Sequence, residues 1–167
     1  MEFFFGLSLF LLFARFGYTN KQILNSEEQK QYELIAENIK TKGLPEIQLS
    51  KYLTFVAQTH AKDLALSFPL KGKCNAHSWS DKGDWTECCY TSNHHNSACI
   101  WDKPAELTDY SGAGYEIAAR LLTKDQTFKI TAEEALGGWK KSSGHRHVII
   151  NTSKWKSMQW QAIGIGM

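Results

Sequence analysis

The sequence predicts an α+β fold, in which helices surround a small sheet built late in the chain. Apolar residues recur at helical spacing within 26–39 and 50–64, in the first half of the sequence. A long segment, 70–112, shows no regular period and is expected to form loops. Two strand candidates follow near the C-terminus, at 147–151 and 160–166. Helices on both faces of that sheet would make a three-layer αβα sandwich.

Length and charge limit the class of protein. A chain of 167 residues suits one domain with a substantial core, and its hydrophobic content of 43% argues against global disorder. The formal net charge is only +2, and lysines are scattered between acidic residues. No arginine-rich stripe or basic patch interleaved with aromatic residues is present, so nucleic-acid binding is disfavoured.

The N-terminal segment 1–19 is interpreted as a signal peptide. An apolar run at 3–13 precedes a more polar stretch at 15–20. The run is too short for a membrane-spanning helix, which needs about 20 apolar residues. It lacks a positively charged start and a clean small-residue cleavage site, so an uncleaved interfacial anchor is the alternative. A signal peptide predicts a secreted, extracellular protein without a transmembrane segment in its mature form.

Two amphipathic helices are predicted first. Ser26-Glu27-Glu28-Gln29 has the form of a capping box and begins the first helix, which ends at 42–45. The second helix begins near Ser50 and runs towards Phe68-Pro69. His60 lies on its apolar face, so we interpret it as a buried core histidine rather than a ligand.

Four cysteines indicate disulfide bonds. Cys74, Cys88, Cys89 and Cys99 lie close together and lack the paired Cys-x-x-Cys spacing of a structural zinc site. Two disulfides are therefore expected, although the spacing leaves all three pairings open. Such bonds can order a long loop region that a hydrophobic core cannot.

The second half supplies two more helices and the strands. Gly-Ala-Gly at 112–114 leads into a short predicted helix at 115–122, with Glu116 in its first turn. Thr131-Ala132-Glu133-Glu134 is a second capping-box pattern. The helix that it begins runs into a turn of small residues, which presents His145 before the strand candidate at 147–151.

His77, Glu116 and His145 form a candidate metal site. Two neutral imidazoles can hold a divalent transition ion, with zinc favoured, and Glu116 would be a third ligand, orient a histidine or polarise a bound water. Binding requires deprotonated imidazoles, so affinity should fall as the pH drops through about 6.5. The alternative is a hydrogen-bonded polar cluster that only organises the loops.

Other candidate groups have weaker support. His94 and His95 are adjacent loop residues, which are usually exposed, and His147 should face away from His145. A serine hydrolase that uses Ser142 or Ser143 with His145 is disfavoured, because no nucleophile-elbow motif is present and residues this close in sequence rarely align for proton transfer.

Three ordered motifs give the chain a family resemblance. They are Asn-Ala-His-Ser-Trp at 75–79, Gly-Tyr-Glu-Ile-Ala at 114–118 and Trp-Lys-Lys-Ser-Ser-Gly-His-Arg at 139–146. Over 26–167 the chain resembles the CAP superfamily, also called the cysteine-rich secretory protein, antigen 5 and pathogenesis-related-1 family. The resemblance implies one CAP domain over 26–167, built as an αβα sandwich around a small antiparallel sheet.

Two departures from the CAP pattern affect these expectations. Ser142 occupies the cleft position where animal members usually have a second glutamate, which leaves a His-Glu-His set. Members also continue past the Ile-Gly-Ile-Gly strand into a final strand, whereas this sequence stops at Met167. The sheet is therefore expected to lack a strand.

The resemblance also implies a disulfide pairing and a function. The pairs would be Cys74–Cys89 and Cys88–Cys99. The function would be binding of a metal ion, a sterol, a lipid or a protein partner in the cleft. The alternatives are a metal-assisted hydrolase and a toxin-like or defence protein that acts through its stapled loops. The sequence identifies no nucleophile or further catalytic acid, which favours a binding protein over an enzyme.

Overall fold

Helices and one small sheet form the regular structure of the protein. A computed structural model describes residues 24–67, 72–119, 130–158 and 160–167. The predicted signal peptide lies outside these ranges, as does part of the predicted helix at 115–122. The elements in chain order are α1 (Ser26–Lys40), β1 (Gln48–Leu49), α2 (Lys51–Leu66), α3 (Ala98–Trp101), α4 (Lys103–Leu107), α5 (Ala132–Lys141), α6 (Ser143–Ile149), a 3₁₀ helix (Ser153–Trp155) and β2 (Ala162–Ile163).

The capped helices predicted from the sequence are confirmed. The capping box of α1 begins one residue earlier than expected: the Asn25 side chain accepts the Glu28 N–H at 2.9 Å, and the Glu28 carboxylate accepts the Asn25 N–H at 2.8 Å. Ser50 caps α2, and Thr131 forms the predicted capping box of α5 with Glu134. These side chains satisfy N–H groups that have no partner within the helix.

The main hydrophobic core lies between α1, α5, α6 and the C-terminal segment. Its buried members are Ile35, Ile39, Leu136, Ile149 and Ile165. Polar contacts align α1 with α5 at the edge of this core. The Glu27 carboxylate accepts the Ala132 N–H at 3.1 Å, and Lys30 pairs with Glu133.

The sheet within the described residues is a single pair of strands. β1 and β2 are parallel, with Gln48 opposite Ala162 and Leu49 opposite Ile163. The Ser50 N–H donates to the Ile163 carbonyl at 2.8 Å. The mixed α and β content is as predicted, but this pair is parallel where an antiparallel sheet was expected, and the three-layer sandwich stays a prediction.

The C-terminal segment lies directly against the backbone of α2. A Cβ atom on Gly164 would be 2.1 Å from the carbonyl carbon of Leu53, and one on Gly166 would be 2.2 Å from that of Ala57. Real Cβ atoms do not approach backbone atoms so closely. Gly164 and Gly166 are two residues apart in the chain, and the α2 residues that they approach are four residues apart, about one helical turn. The absence of a side chain at both glycines is what allows this close contact.

The predicted strand at 147–151 is wrong, because most of this segment belongs to α6. Valine and isoleucine favour strands, but tertiary packing overrides so weak a preference. Ile149 is buried in the main core, which a helix starting at Ser143 places there. The other predicted strand, at 160–166, forms ladder bonds only at Ala162–Ile163.

The predicted helix at 115–122 is also wrong over its described part, 115–119, which is neither helix nor strand. The Gly114 N–H donates to the Trp101 carbonyl at 2.9 Å. A Cβ atom at Gly114 would lie 2.6 Å from a ring carbon of Pro104. These contacts, and those of the Glu116 side chain described below, fix the segment more strongly than its helix propensity does.

No helix among the described residues is long and apolar enough to cross a membrane.

Candidate functional site

Glu116 bridges two histidines that come from different parts of the chain. Its Oε1 lies 2.5 Å from Nδ1 of His60, and its Oε2 lies 2.8 Å from Nδ1 of His77. His60 belongs to α2, His77 to the disulfide-containing loop, and Glu116 to the extended segment 115–119. The structure therefore brings together His77 and Glu116, as the sequence predicts, and adds a histidine that was left out.

His60 is both a buried core residue and a member of this cluster. Its side chain is 2% exposed, and its Nε2 lies 3.0 Å from the Ser78 carbonyl oxygen. A carbonyl oxygen only accepts, so Nε2 carries a proton. The second bond, from Nδ1 to a carboxylate, then favours the doubly protonated ring. Burial lowers the pKa of His60, but the hydrogen bond and charge of Glu116 outweigh it and leave the pKa raised above 6.5.

Glu116 is held as a carboxylate. Burial by itself raises its pKa, but the hydrogen bonds from His60 and His77, together with their charges, bring the pKa down from 4.5 to about 2. The side chain is 24% exposed. Both carboxylate oxygens accept a hydrogen bond from a histidine, so Glu116 orients the two rings.

Trp79 packs against the buried face of this cluster. The His60 ring stacks on the Trp79 ring, with centroids 4.4 Å apart and planes 10° apart. Lys103 Nζ lies 5.2 Å from the same ring and also donates to the Thr86 carbonyl and pairs with Glu106. An indole ring attracts cations through its face, so Trp79 helps to keep the charged His60 ring in a buried position.

A second polar contact joins α2 to the same loop. The Asp63 carboxylate accepts the Ser80 N–H at 2.8 Å and the Ser80 hydroxyl at 2.5 Å. Asp63 lies one helical turn after His60, whose own ring reaches Ser78. Two successive turns of α2 therefore fix the loop immediately after His77.

Two disulfides close this loop with the predicted pairing. Cys74 is bonded to Cys89 and Cys88 to Cys99. A short antiparallel bridge lies inside the loop, where the Trp79 N–H donates to the Cys88 carbonyl at 2.9 Å. The bonds and the bridge fix a segment that has no long helix or strand of its own.

Only one of the two ring nitrogens of His77 takes part in the hydrogen bond to Glu116. Nδ1 donates to Glu116, which leaves the lone pair on Nε2 for a ligand. The Tyr90 ring packs edge-on against His77, with centroids 5.4 Å apart. The Tyr90 hydroxyl lies 2.6 Å from Nδ1 of His94. His94 and His95 are exposed loop residues, as predicted.

His145 lies half-buried near the start of α6. Its pKa is lowered from 6.5, first by burial and then by the charge that His77 carries when its ring is protonated. Ser142 is half-buried at the junction of α5 and α6, where its side chain makes no capping hydrogen bond. Within the described part of the chain, neither Ser142 nor Ser143 is hydrogen-bonded to His145.

These positions fit a metal ion only in part. No group of three or more histidine, cysteine, aspartate or glutamate side chains among the described residues is arranged to hold one. Each Glu116 oxygen already accepts one hydrogen bond from a histidine, so the first role of Glu116 is to orient the two rings, and a metal ion could use only its remaining lone pairs. His77 fits, because a carboxylate on the far nitrogen is the usual support of a metal-binding imidazole. Of the predicted set, His77 therefore has the geometry of a metal-binding imidazole.

An aromatic cluster lies beside the site and has no counterpart in the sequence analysis. Tyr115, adjacent to Glu116, contacts three tryptophans with ring centroids 5.4–5.7 Å apart: Trp101, Trp155 and Trp160. Trp160 also donates its indole N–H to the Val148 carbonyl in α6 at 3.0 Å. These residues are far apart in sequence, so no local pattern predicts the cluster.

The chain was also compared with known proteins. No family model, curated protein or solved structure matches it. The function must therefore be argued from the geometry of the site and from the motifs of the sequence.

Proposed function

We propose that this chain is a secreted binding domain of the CAP type, and that its cleft binds a divalent transition metal ion, with zinc favoured. The observation that carries the metal proposal is the 2.8 Å bond between Nδ1 of His77 and Glu116. It fixes the ring orientation and tautomer and leaves Nε2 as a ligand atom. The order of the three sequence motifs and the two disulfides support the CAP assignment.

His145 is proposed as the second ligand. Its lowered pKa favours the neutral imidazole near pH 7, which is the form that binds metal. Two protein ligands leave open positions on a tetrahedral ion, which water or an organic ligand would complete. For that ligand the resemblance implies a sterol, a lipid or a protein partner in the same cleft, with Ser142 at its edge.

The binding role is favoured over a metal-assisted hydrolase. A hydrolase needs a base that takes a proton from the metal-bound water. Glu116 was the candidate, but its two oxygens accept bonds from His60 and His77, and its low pKa makes it a weak base. A toxin-like role through the loops has weaker support as well, because the Trp85 indole N–H donates to the Ser80 carbonyl within its own loop.

Calorimetric titration of the oxidised protein with zinc at pH 7.5 tests the metal proposal. We expect one ion per chain, and we expect His77→Ala and His145→Ala each to weaken binding at least about tenfold, since each removes one ligand. His95→Ala is the matched control, because His95 is exposed in the same loop, and it should bind as the original chain does. Circular dichroism verifies that every variant is folded.

The pH dependence gives a second readout. Between pH 7.5 and 5.5 the affinity should fall, because protons compete with the ion for its imidazole ligands. Absence of zinc binding by the folded protein, or equal binding by both alanine variants, would show that the histidines are structural. The CAP assignment is tested separately by an experimental structure, which should contain a three-layer αβα arrangement.

A further inference from the structure

A cavity lies between the turn after α1 and the turn after α6. Its volume is about 450 Å³, and it contains none of the residues of the histidine cluster. Small-molecule sites in proteins commonly have volumes of this order. The lining residues are Lys42, Leu44, Ile150, Asn151, Thr152 and Lys156.

Both helices beside the cavity have capped C-terminal ends. Gly43 and Asn151 adopt left-handed backbone conformations, with φ of 67° and 48°. The N–H groups of each and of the following residue donate to carbonyls in the last turn, at 2.9–3.3 Å. This is the pattern of a Schellman motif. Because these carbonyls have partners, side chains decide the polar character of the cavity.

The charge of the cavity is positive. Lys42 and Lys156 are exposed, and neither forms an ion pair with another described residue. Among the described residues, those that line the cavity include no carboxylate. The helix dipoles oppose an anion by about 1 kcal/mol or less at each C-terminal end. Two ammonium groups offset that effect, so the cavity favours an anionic ligand.

Two side-chain oxygens that belong to lining residues of the cavity lack partners among the described residues. The Asn151 amide nitrogen donates to the Met158 carbonyl at 2.8 Å, which fixes Oδ1 on the opposite side of the group. Among the described residues, Asn151 Oδ1 and Thr152 Oγ1 are buried without a hydrogen bond. Each such atom costs about 1–3 kcal/mol. Oδ1 can only accept a hydrogen bond, whereas the threonine hydroxyl can donate one.

We propose that this cavity binds the free carboxyl end of a peptide whose last residue is aliphatic. The carboxylate would pair with Lys42 and Lys156 and accept the Thr152 hydroxyl. The last peptide N–H would donate to Asn151 Oδ1, and the side chain would pack on Leu44 and Ile150. Both oxygens are closed to water in the present conformation, so binding includes a small side-chain rearrangement that gives them partners.

The first test compares ligands that differ by one group. The probe is the peptide acetyl-Gly-Ser-Leu, titrated into the folded, oxidised protein by NMR. Three analogues each lack one group of this probe. The same peptide with an amidated C-terminus lacks the negative charge, acetyl-Gly-Ser-Gly lacks the aliphatic side chain, and 4-methylpentanoate lacks the peptide N–H. We expect saturable binding of the acid with a Kd of about 1 mM or lower, and at least about fivefold weaker binding of each analogue.

The second test uses substitutions that keep the shape of the cavity. Lys42→Met and Lys156→Met remove one charge each, and both should weaken binding of the acid several-fold while leaving its amide unaffected. Thr152→Val removes an unpartnered hydroxyl, so it should weaken binding without lowering the denaturation midpoint. Lys62→Met, an exposed lysine on α2, is the matched control and should change neither quantity.

The proposal is overturned if the acid does not bind at about 10 mM, a concentration that would reveal even a weak site. Equal binding of acid and amide would exclude recognition of the carboxylate. Equal binding of 4-methylpentanoate and the peptide would show a site for simple aliphatic acids instead. None of these outcomes depends on zinc, so failure here leaves the metal proposal intact.

Discussion

Glu116 is shared by two histidines that lie in different surroundings. His60 has a carbonyl on one side of its ring and the carboxylate on the other, which together favour the charged ring. Among the described residues, the His77 ring has a hydrogen bond only to the carboxylate, through Nδ1. A single acidic residue therefore orients two rings, one bonded through both nitrogens and one bonded through a single nitrogen.

Glu116→Gln tests this arrangement. Loss of the charge leaves the buried His60 ring without its anionic partner, and we expect unfolding to become easier by about 3 kcal/mol, the equivalent of the carboxyl's pKa shift. Urea unfolding at pH 6 measures the change. Glu37→Gln, at an exposed position of α1, is the control and should be nearly neutral. An equally small effect at Glu116 would contradict the ion pair.

The same pair predicts a pH profile of stability. Because the pKa of Glu116 is about 2 when folded, its contribution is complete above about pH 4.5 and is lost as the pH falls towards 2. The raised pKa of His60 acts in the opposite direction: its contribution is complete below about pH 6.5 and declines as the pH rises through the folded value. The difference in unfolding free energy between the original chain and Glu116→Gln should therefore be largest between pH 4.5 and 6.5.

The sequence reveals His77 and Glu116 and identifies His60 as a buried histidine, but it does not reveal that His60 pairs with Glu116. A histidine on an apolar helical face usually means burial, and His60 is indeed buried. Its contact with Glu116 spans 56 positions in the chain, and no local pattern contains that information. Asp63, one turn later on the same face and also buried, was the available signal that this face meets polar groups.

Among the secondary-structure elements, those with side-chain caps were predictable. α1, α2 and α5 each begin at a residue whose side chain accepts a backbone N–H, and this signal is local. The segments 115–119 and 147–151 were mispredicted, because packing of their side chains against distant residues decides their conformation. Intrinsic preferences differ by less than about 1 kcal/mol per residue, so such contacts can override them.

The contact between α2 and the C-terminal segment yields an element-level prediction. Gly164→Ala and Gly166→Ala would each place a methyl carbon inside the contact distance of the α2 backbone. We expect each to lower the unfolding free energy by about 1–3 kcal/mol or more, as overpacking does. Gly138→Ala in α5 is the control, since nothing lies within 4 Å of its added Cβ, and it should be neutral or stabilising by up to about 1 kcal/mol. Equal effects in all three would exclude the close approach.

Across the whole molecule, two kinds of constraint hold the fold together. A hydrophobic core joins α1, α5 and α6, whereas the loop that carries His77 depends on disulfides and on polar contacts with α2. The sequence predicted the presence of disulfides from the number of cysteines, and the pairing from the CAP resemblance. It could not predict the contacts with α2, because these depend on how the closed loop lies on the helix.

Removal of one disulfide should affect stability and binding together. Cys74→Ser/Cys89→Ser opens a loop with a sequence separation of 15 that contains His77, and we expect a loss of about 3 kcal/mol by urea unfolding. Zinc affinity should fall as well, because His77 becomes mobile. Cys88→Ser/Cys99→Ser opens a loop that does not contain His77, so its stability loss should be accompanied by a smaller loss of affinity. Identical zinc binding by both variants would contradict this role of the loop.

The aromatic cluster has an optical consequence. Trp155 and Trp160 have ring centroids 5.6 Å apart, and both rings contact Tyr115, the neighbour of Glu116. Rings at such separations exchange excitation energy, so their emission and near-ultraviolet dichroism depend on small changes in mutual orientation. Any ligand that displaces the segment 115–119 would change these signals. The protein therefore contains its own spectroscopic reporter for movement of the segment 115–119, with no label attached.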